Sequence, residues 1–156
     1  MANDLNLRKG KMTMSFFEWD AQCDVGEFSI DSDHRMFARS INELHDAVQS
    51  KRGNEVLKSI LSDVVRLLTD HFVREEELMK KHQYPEYGDH KMEHELFAER
   101  LRGLQREVEA GTGLPTVETL SSFADWFQHH TKGTDTRLAA YVSKAGDRQD
   151  TASDQM

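Results

Sequence analysis

Four stretches of this chain carry apolar residues at alternating steps of three and four, a spacing that admits little besides helices packed along a common seam. The first runs Ile30, His34, Phe37, Ile41, Leu44, Val48, with a cap expected at Asp31 or Ser32. The second follows the breaker Gly53-Asn54 and runs Leu57, Ile60 and Leu61, Val64, Leu68, His71, Glu75, Leu78. The third begins at Pro85 and runs Tyr87, His90, His94, Phe97, Leu101, Leu104, Val108, stopping near Gly111-Thr112-Gly113. The fourth begins at Pro115 and runs Val117, Leu120, Phe123, Phe127, His130. No period-two pattern marks a strand. Long helices joined by short loops pack as antiparallel neighbours, so the spacing predicts an all-α, up-down-up-down four-helix bundle. Residues 1–15 and 144–156 are polar and lack a helical stripe. They are read as a loose N-terminal arm and a loose polar C-terminal tail flanking one domain over 16–143.

Composition removes several classes of function. Of 156 residues, 28 are Asp or Glu and 20 are Lys or Arg, a formal net charge of -8, which argues against a nucleic-acid partner because phosphate binding needs a basic patch. The single cysteine, Cys23, cannot form an internal disulfide or a Cys-x-x-Cys site and is read as a small apolar filler or a free thiol. No apolar run approaches the roughly 18 residues of a membrane-spanning helix, and the first residues lack the layout of a signal peptide. A soluble, cytoplasmic protein without membrane insertion is expected. The eight histidines remain to be explained.

Their placement is the informative fact. His34, His71, Glu75, His90, His94 and His130 all occupy seam positions that elsewhere hold Leu, Ile, Val or Phe. Burying an imidazole or carboxylate costs a few kcal/mol unless it finds a partner. One could be an ordinary hydrogen-bonded core histidine; six, with at least one from every helix, need a common partner, and a metal centre on the bundle axis supplies it. His71 and Glu75 are four apart, as are His90 and His94, so each pair lies on one helix face. After His130 the seam resumes at Asp135, a step of five that puts the two side chains about 140° apart on a regular helix. If both face the axis, a π-bulge or short break near Gly133 is required.

Five imidazoles and two carboxylates exceed what one zinc takes, so two metals fit better. The set is too rich in nitrogen for magnesium or calcium and lacks thiolates for an iron–sulfur cluster. His90-Lys91-Met92-Glu93-His94 is not the zinc-protease pattern, and no histidine has Glu three residues before it as ferritin-like oxidases require. Haem would leave most of these ligands unemployed.

The strings Ile30-Asp31-Ser32-Asp33-His34, His71-Phe72-Val73-Arg74-Glu75-Glu76, Tyr84-Pro85-Glu86-Tyr87 leading to His90-Lys91-Met92-Glu93-His94, and Trp126-Phe127-Gln128-His129-His130-Thr131-Lys132-Gly133-Thr134-Asp135 resemble the four helix motifs of the hemerythrins, most closely the single-domain bacterial ones. The resemblance covers roughly residues 16–143. It implies two non-haem iron ions: one held by His90, His94 and His130, the other by His34 and His71, with Glu75 and Asp135 bridging. The second iron then has one ligand fewer, and O2 would bind end-on at its open position, taking two electrons from the ferrous pair and a proton from a bridging hydroxide. The expected function is reversible O2 binding for storage, transport or delivery, not enzymatic turnover. The alternatives are a di-iron enzyme consuming peroxide or nitric oxide or oxidising iron, or an O2 or redox sensor acting through a partner protein.

Four ferrous charges set against two carboxylates and a hydroxide leave about +1, so this set neutralises less charge than a carboxylate-rich one and favours binding over activation. Phe72, Trp126 and Phe127 stand where an apolar wall of the oxygen pocket is expected, besides serving as core aromatics. Thr131 takes the place of a usual isoleucine, Phe127 of a usual leucine, and both lie near that pocket. Asp33 replaces a glutamine before His34, and Glu27 stands at a commonly apolar position; both are expected to act outside the ligand set. His45, His82 and His129 fall off the seam or far from the cluster, His82 being about 16 Å along its helix from His71, and are assigned structural or solvent-exposed roles.

Overall fold

The structure, a computed structural model, describes residues 15–20 and 23–153, with side chains as far as residue 146. All but Ser15 of the arm expected over 1–15 lies outside these residues. The described chain consists of α1 (Phe28–Gln49), α2 (Asn54–Lys81), α3 (Tyr87–Ala110), α4 (Val117–His130), a π-helical turn (Thr131–Asp135) and α5 (Thr136–Ser153). His130, Thr131 and Thr136 all keep right-handed helical backbone, so α4, the π turn and α5 form one continuous rod. Short connections place α1 against α2, α2 against α3, and α4 back against α1. This is the four-helix bundle the spacing predicts, and no strand occurs among the described residues. No helix among them is long and apolar enough to cross a membrane.

Three helix starts differ from expectation: α3 and α4 begin at Tyr87 and Val117, two residues after Pro85 and Pro115, and α1 takes a different cap. α1 begins at Phe28, ahead of Asp31 and Ser32, because the Glu27 carboxylate caps it by accepting the Ile30 N–H at 3.0 Å. Asp31 lies inside the first turn, where its carboxylate accepts the N–H groups of Val25 at 2.7 Å and Gly26 at 3.1 Å. It thus ties the preceding loop to the positive end of the helix, the loop turning at Gly26 with φ of 90°. Thr116 caps α4 through the Thr119 N–H at 3.1 Å, and Gly111, with φ of 71°, closes α3 in the left-handed conformation. The loose tail expected from residue 144 is instead helical as far as Ser153. Extending a formed helix needs no new nucleus, and 144–153 contains no proline to stop it.

Two apolar clusters bracket the middle of the bundle. The larger includes Phe37, Ile41 and Leu44 of α1, Leu61 and Leu68 of α2, Phe97 and Leu101 of α3, and Leu120 and Phe127 of α4. The smaller joins Met79, Tyr84 and Leu138. On α2 the seam ends on buried Met79, with Leu78 only partly covered, because the step after Glu75 is four rather than three. Ahead of α1, Phe17 packs into the larger cluster and is held by Asn42, which accepts the Phe17 N–H at 2.7 Å and donates to its carbonyl at 2.8 Å. Cys23 is a buried free thiol. The polar seam residues lie between the two clusters.

Candidate metal centre

The structure brings all seven seam candidates together. Glu75, His90, His94, His130 and Asp135 each offer an atom within 4.8 Å of the others, and His34, His71, Glu75 and Asp135 form a second such group. All seven side chains are buried. The one-residue excess in the step from His130 to Asp135 is absorbed by the π turn, which rotates Asp135 onto the axis beside His130.

The two carboxylates divide their oxygens between the groups. Glu75 Oε2 lies 3.0 Å from His94 Nε2 and 3.3 Å from His90 Nε2, whereas its Oε1 lies 3.3 Å from His71 Nε2. Asp135 Oδ1 lies 3.0 Å from His130 Nε2 and 3.1 Å from His90 Nε2, whereas its Oδ2 lies 3.1 Å from His34 Nε2. His34 and His71 face each other, Nε2 to Nε2, at 3.1 Å. Both Glu75 oxygens, both Asp135 oxygens and the Nε2 atoms of His90, His94 and His130 are buried with no hydrogen-bond partner of sound geometry among the described residues. Seven orphaned atoms in one place would be prohibitive in an empty core. Atoms held about 2.1 Å from one cation and at right angles to each other stand about 3.0 Å apart, so these spacings suit edges of coordination polyhedra. Imidazole nitrogen with carboxylate oxygen, and no sulfur, is a donor set that iron accepts. One group offers three imidazoles and two oxygens, the other two imidazoles and two oxygens.

Electrostatics point the same way. Burial opposes charge on both carboxylates, yet the imidazoles hold Glu75 well below the usual carboxylate range, and His130 and His34 lower Asp135. Burial alone would lower His71, but Glu75 and Asp33 push it up to about 10; His90, also opposed by burial, is pushed up to about 9 by Asp135 and Glu75. Burial wins at His94, which is lowered. The two buried carboxylates therefore demand positive charge, which protons on imidazole or bound cations can supply.

Three of the five imidazoles donate their outer N–H to a further carboxylate: His130 Nδ1 to Glu93 at 2.6 Å, His71 Nδ1 to Asp33 at 3.1 Å, and His94 Nδ1 to Glu76 at 3.3 Å. Each bond fixes the tautomer that leaves Nε2 free to ligate. Glu93 also accepts from the Thr134 hydroxyl at 2.9 Å. Asp33 bonds an imidazole from outside the seven-residue cluster, and Glu76 and Glu93, which the spacing does not mark, do the same, each adjacent in sequence to a member of the cluster. Their signal is weak, since exposed glutamates are common on helices.

The aromatic candidates divide by side. Phe72 stacks on His94 with ring centroids 3.9 Å apart, and Trp126 stacks on His130 at 4.5 Å, backed by Phe97 at 3.9 Å. Phe127 meets His34 edge-on at 5.2 Å and packs on Phe37 at 4.4 Å. Trp19, which the spacing did not flag, lies 5.5 Å from the His34 ring and is held by its indole N–H donating to Asp24 at 3.0 Å. Thr131 is wholly buried, its hydroxyl without a partner among the described residues. The other histidines stay apart: His45 stacks on Phe16 at 4.1 Å, His82 ends α2, and His129 is exposed and bonded to the Asp125 carbonyl.

Comparison with known proteins agrees with this geometry. The sequence profile of the Hemerythrin HHE cation binding domain matches residues 26–142. The chain is 31% identical over 119 residues to a myohemerythrin of Theromyzon tessulatum, covering 76% of this chain and 88% of that protein. It is 30% identical over 129 residues to a bacteriohemerythrin of Stenotrophomonas maltophilia, covering 83% of each. A wild-type hemerythrin crystal structure superposes with a TM-score of 0.76 at 24% identity, over 81% of this chain and 97% of that one, and so shares the fold. The sequence match spans every residue of the buried cluster, and on it the chain belongs to the hemerythrin family.

Proposed function

We propose that this protein binds O2 reversibly at a non-haem di-iron centre, with His90, His94 and His130 on one iron, His34 and His71 on the other, and Glu75 and Asp135 bridging. The observation that carries this is the division of each buried carboxylate, one oxygen toward each histidine group. Bound as a ferrous pair, the group would supply the two electrons that O2 takes up. The chain's own residues make that reversible. Glu93, Asp33 and Glu76 fix three imidazoles in the ligating tautomer. Phe72 and Trp126 hold the His94 and His130 rings by stacking. Phe127, Phe37 and Trp19 close the side of His34, the group with fewer protein donors, against water.

Storage, transport or delivery of O2 is the role this supports. The test is to reduce the iron-loaded protein without air, admit O2 and follow the visible spectrum. An O2-dependent band that vanishes on removing O2, over repeated cycles, is expected; rapid irreversible oxidation on first exposure would overturn the carrier reading and favour an oxidising enzyme.

A further inference from the structure

The carboxylates behind the imidazoles are not equivalent. Glu93 and Glu76 accept from His130 and His94 in the three-histidine group, and the side chain of Glu93 is 40% exposed. Among the described residues Asp33 alone serves the two-histidine group, because His34 Nδ1 has no hydrogen-bond partner there. It is also the one most firmly held. Its Oδ2 accepts from His71 Nδ1 at 3.1 Å, from Arg74 Nε at 3.0 Å and from Arg74 Nη2 at 2.6 Å, and its side chain is only 14% exposed. Arg74 follows His71 by three residues on α2, and Asp33 immediately precedes His34 on α1. The clamp therefore joins the two helices that supply the two-histidine group.

We propose that Asp33, fixed by Arg74, is a positioning residue that sets the reduction potential and O2 affinity of the centre through His71. This rests on the di-iron assignment above. A charged acceptor draws the His71 Nδ1 proton outward and makes Nε2 a stronger electron donor. A stronger donor would favour the more oxidised state of an iron held there, and so would strengthen O2 binding. A neutral side chain at position 33 could accept the same hydrogen bond but would carry no charge and leave Arg74 unpaired. Arg74 holds the half-buried carboxylate beside His71 and, by donating to the same oxygen, moderates its strength as an acceptor.

The full-length, iron-loaded protein is compared as wild type, Asp33→Asn, Asp33→Glu and Arg74→Gln. Iron per chain, the midpoint potential of the iron pair in the absence of O2, and O2 affinity are read for each. Asp33→Asn is expected to retain its iron and bind O2 about tenfold more weakly, with a potential higher by about 30 mV for a two-electron couple. Asp33→Glu restores most of the difference, and Arg74→Gln, which removes a positive charge and frees the Asp33 oxygen shared with His71, shifts both readings in the direction opposite to Asp33→Asn. A wild-type potential in Asp33→Asn at full iron occupancy overturns the proposal. Iron loss in Asp33→Asn with no shift in Arg74→Gln also overturns it, leaving Asp33 as a tie between α1 and α2. Because the potential is read without O2, a wild type that holds two irons yet fails to cycle O2 would refute the carrier function and leave this comparison standing.

Discussion

The buried cluster stores protons that metal must displace, and their number can be worked out. In the metal-free protein His71 titrates at about 10 and His90 at about 9, so at pH 7.5 each imidazole holds nearly a full proton. Metal ligation needs both neutral. Binding of Zn(II), chosen because it has no redox chemistry, should therefore release about two protons per chain at pH 7.5. His130 is raised as well and adds to the release. Calorimetric titration of the metal-free protein in buffers of different ionisation enthalpy gives the number directly from the dependence of apparent heat on the buffer. Glu75→Gln removes a principal charge holding up both imidazoles, so its release should fall to about one proton or less. A wild-type release below about half a proton would refute the electrostatic account. The same shifts fix a stability trend. Their folded values lie above the unfolded value of about 6.5, so the contribution to the metal-free protein is complete below that pH. It is lost as pH rises through about 9 and 10. The metal-free melting temperature should fall across that interval, while metal affinity rises as protons cease to compete. Glu75 and Asp135 act oppositely, their contribution being lost as pH falls below the ordinary carboxylate range.

Two substitutions probe the surroundings. Gly133 sits in the π turn, yet a Cβ there would meet nothing closer than Arg137 Nη1 at 3.8 Å, so the turn does not require glycine. Gly133→Ala should keep full iron content and gain up to about 1 kcal/mol in denaturant unfolding; a loss larger than that would mean the turn depends on glycine. Phe127 is wholly buried against Phe37 and His34, so Phe127→Ala should cost about 3–5 kcal/mol. It should also speed irreversible oxidation of the oxygenated protein as water reaches the His34 side. A lower melting temperature with an unchanged oxidation rate would remove Phe127 from the water barrier.

The bundle was legible because the three-and-four spacing survives in every helix, and the ligand cluster because charged and polar residues occupy positions on that lattice. The helical irregularity was legible for the same reason: a step of five from His130 to Asp135 is incompatible with a regular helix if both residues face inward. What the spacing could not supply falls into four kinds. Caps depend on which of several nearby acids the loop geometry selects, and Glu27 took the role expected of Asp31 or Ser32. The partners of the outer imidazole nitrogens depend on rotamers across helices, so Glu93 and Glu76 were indistinguishable from surface glutamates. Trp19 reaches the site from a segment without helical period, held there by Asp24 and the anchoring of Phe17 to Asn42. The C-terminal boundary differed for a fourth reason: loss of an apolar stripe ends packing, but it does not end a helix already propagating.

On the function proposed above, one buried cluster would hold two ions joined by Glu75 and Asp135. Anomalous diffraction at the iron absorption edge from crystals of the iron-loaded protein tests it most directly. Two peaks per chain are predicted, one among His90, His94 and His130, the other beside His34 and His71, each meeting one oxygen of Glu75 and one of Asp135. A single peak, or two peaks not spanned by those carboxylates, would contradict it.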